Sequence, residues 1–531
     1  MKTPLIRSIL SALTFTALSL PAAFAQTTER VSVDSAGLEG NHISDKPSIS
    51  ADGRFVAFES FATNLVPSDT NITWDVFVHD HQTGQTRRVS VDSVGLQGNA
   101  QSYGAAISAD GRYVGFSSWA DNLVPGNNHY NGNIFVHDTQ TGQTTMVSVD
   151  SAGIEANGDC QEPSLSADGR YVSYSSTATN LVSGDTNGCE DVFVYDSQSG
   201  QTTRVSVDTQ GGQGNFSSRA ASISLDGKHV AFESHASNLV TNDNNVWKDC
   251  FLHNMQTGET SLVSVSSSGA QGDAASYDPA VSSNGRFVAF GSYASNLIVA
   301  DTNNAKDAFV YDSLTAQTSR VSVDSAGAQA YGCFFSGPSI SADGRYVAFD
   351  TPASIAPSDT NFKWDIYVHD RQTGQTTLES RNSSGVVGNE DSFYPAMSSD
   401  GSYVALQSRA SNLVAGDGNG YPDVFLHKHG PDSPYLTKMG TCPGIMTLTV
   451  NNATANKNVA FVYGPLGNFA KPTPPCQGLS LSIAQPKLGA YVVANAAGTA
   501  VLNFFAPPSV CGLTVQAVDV PTCTATNTII L

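Results

Sequence analysis

One motif repeated seven times constrains this chain more than any other feature. Its fullest form is Ser-Ala-Asp-Gly-Arg-aromatic-Val-Ala-Phe, and its turn residue recurs at a nearly fixed interval. The turn residues are Asp52, Asp110, Asp168, Asp226, Asn284, Asp343 and Asp400, so the spacings are 58, 58, 58, 58, 59 and 57 residues. A period this constant indicates repeated structural units that pack against one another, not repeated active sites.

Each unit predicts four short β-strands. Apolar residues alternate with small polar ones at period two, and Gly, Asn, Asp or Pro separates the runs. In the first unit the predicted strands are a short one at 47–50, followed by 54–60, 75–79 and 87–91. Asp52-Gly53 supplies the first tight turn, and Thr83-Gly84 lies in the turn between the third and fourth strands.

The two ends of the repeat region favour a closed ring over an open solenoid. The seventh unit lacks a fourth strand, whereas Arg30-Val31-Ser32-Val33 precedes the first full unit and matches the fourth strands of later units. We therefore expect the strand at 30–33 to complete the last sheet. The predicted fold class is all-β: a seven-bladed β-propeller closed by an N-terminal strand, plus a small C-terminal β-sandwich.

The repeats resemble those of a known group of proteins. Pro338 to Phe349 reads Pro-Ser-Ile-Ser-Ala-Asp-Gly-Arg-Tyr-Val-Ala-Phe, Val192 to Asp196 reads Val-Phe-Val-Tyr-Asp, and Gln-Thr-Gly recurs after the third strand. This pattern is similar to the WD-like propeller repeat of TolB-type periplasmic proteins, and it covers residues 27–430. The resemblance implies a group that includes translocation components, peptidase-associated propellers and a sugar-acid lyase. It does not select among them, because one fold hosts many functions.

Residues 1–25 have the pattern of a cleaved signal peptide. Lys2 and Arg7 precede an apolar run from Ile9 to Leu20, and Ala23-Phe24-Ala25 is a small-residue cleavage site. No later stretch has the roughly 20 apolar residues that span a bilayer. We expect a secreted, periplasmic or cell-surface protein, a monomer without a transmembrane segment, with the propeller over 26–430 and a separate domain over 431–531.

The charge balance argues against nucleic acid as a partner. With 26 Lys+Arg against 47 Asp+Glu, the net charge is −21, which is the wrong sign for binding phosphates. Residues 431–531 carry +2 and the first 25 residues carry +2, so the repeat region holds −21 − 2 − 2 = −25.

Eight cysteines in an exported chain predict disulfides. In the C-terminal domain, sequence proximity favours Cys442 with Cys476 and Cys511 with Cys523, although four cysteines allow three connectivities. The segment around 511–527 is also similar to C-terminal modules of exported bacterial proteins. In the repeat region the predictions are a Cys160–Cys189 disulfide and unpaired Cys250 and Cys333.

The loop between the second and third strands repeats an acidic pattern, Asp-x-Asn-x-x-x-Asp. Oxygen ligands at these spacings suit a hard cation such as Ca²⁺. The candidate metal ligands are Asp69, Asn71, Asp75; Asp185, Asn187, Asp191; Asp243, Asn245, Asp249; Asp301, Asn303, Asp307; Asp359, Asn361, Asp365; Asp417, Asn419, Asp423. The second unit has Asn127, His129 and Asn133 instead. The alternative is that the loops are only turns, which Asp and Asn favour through local hydrogen bonds.

Function in a repeat protein is best sought where the copies differ. The start of the first strand varies from unit to unit, and in a propeller this point lies near the axis, so these side chains should ring one mouth of the central channel. The candidate ligand-binding residues are Asp45, Tyr103, Gln161, Arg219, Tyr277, Phe335 and Phe393. Aromatic groups beside polar ones suit a sugar or a protein surface, although mouth residues can also simply plug the channel.

Catalytic motifs are not apparent. Five histidines recur at one register of the third strand, and Tyr195 and Tyr311 replace them in two units, which indicates a packing position. There is no Gly-x-Ser-x-Gly, His-Glu-x-x-His or phosphate loop. We favour a non-enzymatic exported scaffold that binds a protein or glycan at the channel mouth. The alternatives are a periplasmic propeller-type hydrolase or lyase, which a cluster of His, Arg and carboxylate in the channel would favour, and a structural envelope component.

Overall fold

The described part of the chain consists of β-strands and the turns between them. The computed structural model describes residues 26–127, 131–299, 301–333 and 336–429, and the backbone of nine strands between 435 and 530. Gln26–Gly430 form one compact unit, and Pro431–Leu531 belong to another. The predicted signal peptide and the cysteines at 442, 476, 511 and 523 lie outside the described residues.

The first unit contains seven antiparallel sheets, which are the blades of a propeller. After β1 (Thr28–Arg30), blade 1 contains β2 (Ser44–Ile49), β3 (Phe55–Ser60), β4 (Asp75–Asp80) and β5 (Gln85–Arg88). Blade 2 contains β6 (Ser102–Ile107), β7 (Tyr113–Ser118), β8 (Asn133–Asp138) and β9 (Thr144–Met146). Blade 3 contains β10 (Cys160–Leu165), β11 (Tyr171–Ser176), β12 (Asp191–Asp196) and β13 (Gln201–Arg204).

The remaining blades continue the same order. Blade 4 contains β14 (Ser218–Ile223), β15 (His229–Ser234), β16 (Asp249–Asn254) and β17 (Thr260–Leu262). Blade 5 contains β18 (Ser276–Val281), β19 (Phe287–Ser292), β20 (Asp307–Asp312) and β21 (Gln317–Arg320). Blade 6 contains β22 (Ser339–Ile340), β23 (Tyr346–Thr351), β24 (Asp365–Asp370) and β25 (Gln375–Leu378). Blade 7 contains β26 (Ser392–Met397), β27 (Tyr403–Ser408) and β28 (Asp423–Lys428), and β1 is its fourth strand.

The N-terminal strand closes the ring as predicted, with a shifted span. Thr28 pairs with His427 and Arg30 with Phe425 in an antiparallel ladder. The ladder covers 28–30 rather than the predicted 30–33, because Val33 turns away to form a bridge with Glu39. The fourth strand of blade 1 differs in the same way, with Gln85–Arg88 in place of 87–91, because Val91 bridges to Gln97.

Backbone hydrogen bonds join the seven turns between first and second strands into a closed ring. Ala51 N donates to Ala109 O at 2.9 Å, and similar bonds pass from blade to blade until Ser399 N donates to Ala51 O at 3.0 Å; in blade 4 the donor is Asp226 N, one residue later. We call this the turn end of the propeller and the opposite end the mouth. The cyclic pattern shows directly that seven blades complete one circle.

The core lies between neighbouring blades rather than inside one sheet. Phe58 and Phe77 of blade 1 pack with Val424 and Leu426 of blade 7, and all four are buried. Val31, next to the closing strand, joins the same cluster. Each middle strand is therefore buried on both faces, which radial packing of small sheets makes possible.

At the turn end, one glycine in each unit allows the blades to approach. Gly53 has a φ of 78°, and a Cβ built on it would lie 2.3 Å from the Tyr403 ring of the previous blade. Only glycine combines this backbone with that contact. Arg54 beside it forms a two-point ion pair with Asp80, at 3.0 and 2.7 Å, and lies over the Phe55 ring.

The recurring third-strand histidines are packing residues, as predicted. His79 Nδ1 lies 2.8 Å from Thr86 Oγ1 of the neighbouring strand, and the pair is buried. The same pairing recurs for His137–Thr144, His253–Thr260, His369–Thr376 and His427–Thr28. Burial lowers the pKa of His253, His369 and His427 to about 4, so these rings are neutral at physiological pH.

The predicted Cys160–Cys189 disulfide is wrong. Cys160 is buried and its Sγ lies 3.1 Å from Ser176 Oγ, whereas Cys189 Sγ contacts the carbonyl of Asn187 in its own loop at 3.6 Å. One thiol points into the blade and the other stays in the loop, so they do not meet. Cys250 and Cys333 are buried free thiols, as predicted.

The described strands after 431 form antiparallel sheets. They are β29 (Tyr435–Met439), β30 (Gly444–Asn451), β31 (Asn458–Gly464), β32 (Leu466–Ala470), β33 (Ser480–Ile483), β34 (Lys487–Val493), β35 (Ala500–Ala506), β36 (Thr514–Asp519) and β37 (Thr524–Ile530). One sheet has the order β29-β30-β35, another β34-β31-β36-β37, and β32 pairs with β33. Among the described residues, no helix is long and apolar enough to cross a membrane.

Candidate binding site at the channel mouth

The mouth is built by the first residues of the seven innermost strands. Each of these strands contacts the innermost strand of the next blade, so together they surround the axis. A break in pairing with the second strand follows the mouth residue, between Asp45 and Ser48 in blade 1 for example. The bulged backbone is left-handed there, with φ of 44° at Lys46 and 57° at Glu162. Bulges re-aim side chains, and here they directly follow the variable residues at the start of each first strand.

Six of the seven predicted ligand-binding residues share one register position. Each pairs with a residue near the end of the second strand: Asp45 with Glu59, Tyr103 with Ser117, Gln161 with Ser175, Arg219 with Glu233, Tyr277 with Gly291 and Phe393 with Gln407. Phe335 lies outside the described residues.

Buried acidic side chains link neighbouring blades just inside the mouth. Glu59 Oε2 accepts a hydrogen bond from the backbone amide of Gly104 at 2.7 Å, and Glu233 Oε2 accepts one from Asp278 at 3.0 Å. Burial, followed by repulsion from Glu59, raises the pKa of Asp45 to about 6. Some of the acidic side chains near the mouth therefore stabilise the contact between neighbouring blades.

Blades 4 and 5 form a charged sector, which we define as Arg219, Glu233, His235, Lys248 and Tyr277. Glu233 Oε1 lies 2.9 Å from Arg219 Nε and 2.6 Å from Lys248 Nζ. Lys248 Nζ also lies 4.7 Å from the centre of the Tyr277 ring, a cation–π contact. Burial is the main cause that lowers the pKa of His235 and raises that of Tyr277.

Blades 6, 7 and 1 form an apolar arc, which we define as Trp364, Phe393, Tyr421, His42, Phe61 and Trp74. His42 stacks on Tyr421 at 4.3 Å between ring centres and lies 4.8 Å from Phe61. Phe61 meets Trp74 edge-on at 5.9 Å, and Trp364 lies 5.9 Å from Phe393. The first three contacts join residues from both ends of the repeat region, and Trp364 with the buried Phe393 forms a second pair in the arc.

All four tryptophans of the chain belong to loops at the mouth. Trp74 and Trp364 directly precede third strands, Trp247 lies in the equivalent loop of blade 4, and Trp119 directly follows β7. Trp119 Nε1 donates to Tyr103 Oη at 3.1 Å. Sequence reasoning missed these residues, although their position in the repeat could have revealed them.

In four blades an arginine of the fourth strand forms ion pairs with the two aspartates of the acidic loop. Arg88 Nη1 lies 3.2 Å from Asp69 Oδ1 and 3.4 Å from Asp75 Oδ2. The same arrangement recurs for Arg204 with Asp185 and Asp191, Arg320 with Asp301 and Asp307, and Arg30 with Asp417 and Asp423. The loop asparagines of these blades turn the amide nitrogen, not the oxygen, towards the second aspartate. The guanidinium thus lies where a bound cation would balance the two carboxylates.

In blade 7 the arginine is surrounded by three carboxylates. Glu39, Asp417 and Asp423 bring three carboxylates within 4.8 Å of one another. Arg30 Nη1 contacts all three, at 3.6 Å from Asp417, 3.1 Å from Asp423 and in a close ion pair with Glu39.

Blades 2, 4 and 6 lack this arginine. Blade 2 has Met146 at the arginine position and Asn127 and Asn133 in place of the two aspartates, and Asn133 Nδ2 donates to Glu155 Oε1 at 2.9 Å. Blades 4 and 6 have Leu262 and Leu378 there but keep both aspartates. In blade 4, Gln271 Nε2 donates to Asp243 and Asp249, at 2.7 Å each. Burial raises the pKa of Asp249 to about 6.

In blade 6 the second aspartate of the loop, Asp365, has a hydrogen-bond partner for only one of its two oxygens. Asp365 is fully buried; its Oδ1 accepts from Ser380 Oγ at 2.5 Å, and its Oδ2 has no hydrogen-bond partner within the described residues. Asp359 accepts from Tyr367 Oη at 2.5 Å, and Asn361 donates to the Gly388 carbonyl at 2.7 Å. Burial raises the pKa of Asp365 to about 7.

Solved structures with a similar arrangement share little sequence with this chain. A protein from Agrobacterium tumefaciens described as a TolB has 15% identity and a TM-score of 0.37, over 67% of this chain and 98% of that one. An acylaminoacyl peptidase from Pyrococcus horikoshii has 10% identity and a TM-score of 0.42, over 78% and 59%. A prolyl endopeptidase has 11% and 0.42, over 78% and 56%.

The chain therefore spans less than two thirds of both peptidases. No protein-family model and no curated protein matches the sequence. Similarity at this level assigns no activity.

Proposed function

We propose that this protein is an exported, non-enzymatic propeller scaffold that binds a protein or glycan at the channel mouth. The observation that carries the proposal is the contrast between the two ends of the propeller. The seven turns at the turn end are built alike, from one closed hydrogen-bond ring. At the mouth the same repeats carry different charged, polar and aromatic side chains, and the four tryptophans belong to loops there.

Exposure of three aromatic groups at the mouth supports a binding role over a mere plug. Trp119, Trp247 and Tyr293, which directly follows β19, are 41%, 50% and 51% exposed. Large aromatic side chains left in solvent beside Arg and Lys are typical of binding surfaces. A channel plug would bury them.

The test uses the purified full-length chain as bait for a cell-surface extract. Glycan or protein retained by the wild type is compared with material retained by Trp119→Ser/Trp247→Ser at the mouth, where both side chains are exposed. The matched control is Leu314→Gln at the turn end, where most other blades have Gln and Leu314 is 74% exposed. Retention that the mouth variant loses and the control keeps supports the proposal. Equal retention by all three variants contradicts it and favours a structural envelope component.

The charged sector supports a second candidate, a lyase or hydrolase. Arg219, His235 and Glu233 lie together with Lys248 at the mouth, which is the combination that such an enzyme would need. Glu233 is already bound by Arg219, Lys248 and the Asp278 amide, so His235, which is exposed, is the available base. The test is turnover of anionic polysaccharides: activity lost in His235→Ala but kept in Leu314→Gln would support an enzyme.

We also propose that calcium stabilises the propeller. The arrangement of the acidic loops supports a calcium site in two blades. Blades 4 and 6 keep both aspartates without the arginine that balances them elsewhere. A cation bound to Asp243 and Asp249, or to Asp359 and Asp365, would supply the missing positive charge, since carboxylate oxygens suit Ca²⁺. In the other four acidic loops an arginine already lies beside the two aspartates, so a cation there would have to compete with it.

A further inference from the structure

We propose that the apolar arc, together with Ile72 and Phe362 at its two ends, binds a polypeptide partner that carries both basic and apolar side chains. This inference rests on the proposed function and names the class of partner. It starts from two loop residues whose side chains do not suit the left-handed backbone that most blades adopt at this position.

Ile72 and Phe362 occupy equivalent loop tips in blades 1 and 6. Both have left-handed backbones, with φ of 53° and 57°. At the same position blades 3, 5 and 7 have Gly188, Asn304 and Gly420, with φ of 62°, 51° and 73°. Glycine and asparagine tolerate this conformation, whereas a β-branched or bulky residue is strained by it.

The fold gains little from either side chain, because Ile72 is 70% exposed and Phe362 is 87% exposed. Strain that persists without burial is typical of functional positions. Each of the two residues lies two positions before a tryptophan of the arc, Trp74 or Trp364. Blade 7, whose loop carries Tyr421, lies between blades 6 and 1, so the two exposed tips lie on either side of the stacked rings of His42 and Tyr421.

The chemistry of this surface favours a polypeptide over a glycan. A sugar stacks on flat aromatic rings, but an exposed Ile offers it no such face, whereas aliphatic and aromatic anchors together are typical of protein interfaces. Nearby charges are paired within the chain, as in Lys363 Nζ to Glu390 Oε2 at 2.7 Å. The repeat region as a whole carries −25, so long-range attraction selects partners of positive charge.

The test is a fluorescence titration of the full-length chain with a synthetic Lys/Leu peptide, since Trp74 and Trp364 lie within the proposed surface. The comparison ligands are an oligolysine of equal charge, a neutral Ser/Leu peptide and a neutral oligosaccharide. We expect the Lys/Leu peptide to bind at least about tenfold more tightly than each of them. No binding of this peptide, equal binding of oligolysine, or preferred binding of the oligosaccharide would overturn the inference.

The variants are Ile72→Gly/Phe362→Gly and, as a control of matched exposure at the turn end, Leu314→Gln. The double variant should lose about tenfold or more in affinity for the Lys/Leu peptide, with an equal or higher melting temperature because glycine relieves the strain. Leu314→Gln should bind like the wild type. Unchanged affinity in the double variant would overturn the inference, and a lower melting temperature would show that the two residues serve the fold instead. Mouth-dependent capture of a glycan would still leave the proposed function intact.

Discussion

Thr28 Oγ1 in the closing strand lies 2.8 Å from His427 Nδ1 in blade 7, and this contact reproduces the His79–Thr86 pair inside blade 1. The N-terminal strand therefore makes the same contact with blade 7 that the fourth strand makes with the third strand inside blade 1. Thr28 Oγ1 also bonds the Arg381 carbonyl of blade 6 at 2.5 Å. The closure thus ties three elements: β1, blade 7 and blade 6.

Deletion of residues 27–37 should destabilise the propeller strongly. It removes the β1 ladder, the Val31 side chain from the inter-blade core and Arg30 from three carboxylates. Burial of one valine contributes about 1.5–3 kcal/mol and each hydrogen bond about 1 kcal/mol, so the loss should reach at least about 5 kcal/mol. Urea denaturation measures it, with Thr28→Ala as the milder comparison. An unchanged unfolding midpoint would show that β1 does not clasp the ring.

Asp365→Asn should stabilise the protein at pH 8 and have little effect near pH 4. The folded-state pKa of Asp365 is about 7, above the ordinary 3.8, so the native state binds the proton more tightly than the unfolded state. Native stability therefore falls as pH rises from about 4 to 7, by up to about 4 kcal/mol, and the amide variant avoids this loss. Denaturation in a metal-free buffer across that range measures it. Asp80→Asn is the contrasting control: the hydrogen-bonded Arg54 guanidinium holds the pKa of Asp80 well below its ordinary value, so this variant should destabilise the protein at pH 8.

Calcium should raise the melting temperature beyond the effect of sodium at equal ionic strength. If the blade 4 and blade 6 sites bind, each contributes about 2.7 kcal/mol at a hundredfold excess over its Kd. Asp359→Ala/Asp365→Ala should remove the share of blade 6, and Asp69→Ala/Asp75→Ala should leave the calcium increment unchanged. Identical melting curves in calcium and sodium would mean that all the acidic loops are turns.

His369→Tyr should make the protein more resistant to acid. His369 is neutral in the folded state because burial lowers its pKa from 6.5 to about 4. As pH falls from 6.5 towards 4, the unfolded state takes up the proton first, and stability falls by up to about 3 kcal/mol. Tyrosine occupies this register in blades 3 and 5, at Tyr195 and Tyr311, so it should fit. The difference in unfolding free energy between pH 7 and pH 4.5 should shrink in the variant; an equal difference would assign the acid sensitivity to other groups.

The repeat sequence by itself determined the number of blades, four strands per blade and closure by the N-terminus. These properties follow from local alternation, turn residues and a constant period, which each unit carries within about 58 residues. The histidine packing position was also evident, because Tyr replaces His in the same register. Burial alone explains both residues, so no distant partner had to be known.

Only the tertiary structure decided which positive charges neutralise the acidic loops and which residues at the mouth are in contact. Arg30 reaches Asp423 across 393 residues, and His42 stacks on Tyr421 because ring closure brings the two ends of the repeat region together. The arginine had left a trace in the sequence, since Leu262, Leu378 and Met146 replace it in blades 4, 6 and 2. This replacement could be interpreted only from the structure, which places the fourth strand beside the acidic loop between the second and third strands. A strand's own residues do not determine which loop lies next to it in the sheet. The left-handed backbone at Ile72 and Phe362 contradicts their own local preference, and in the sequence only the Gly188, Asn304 and Gly420 of other blades indicate it.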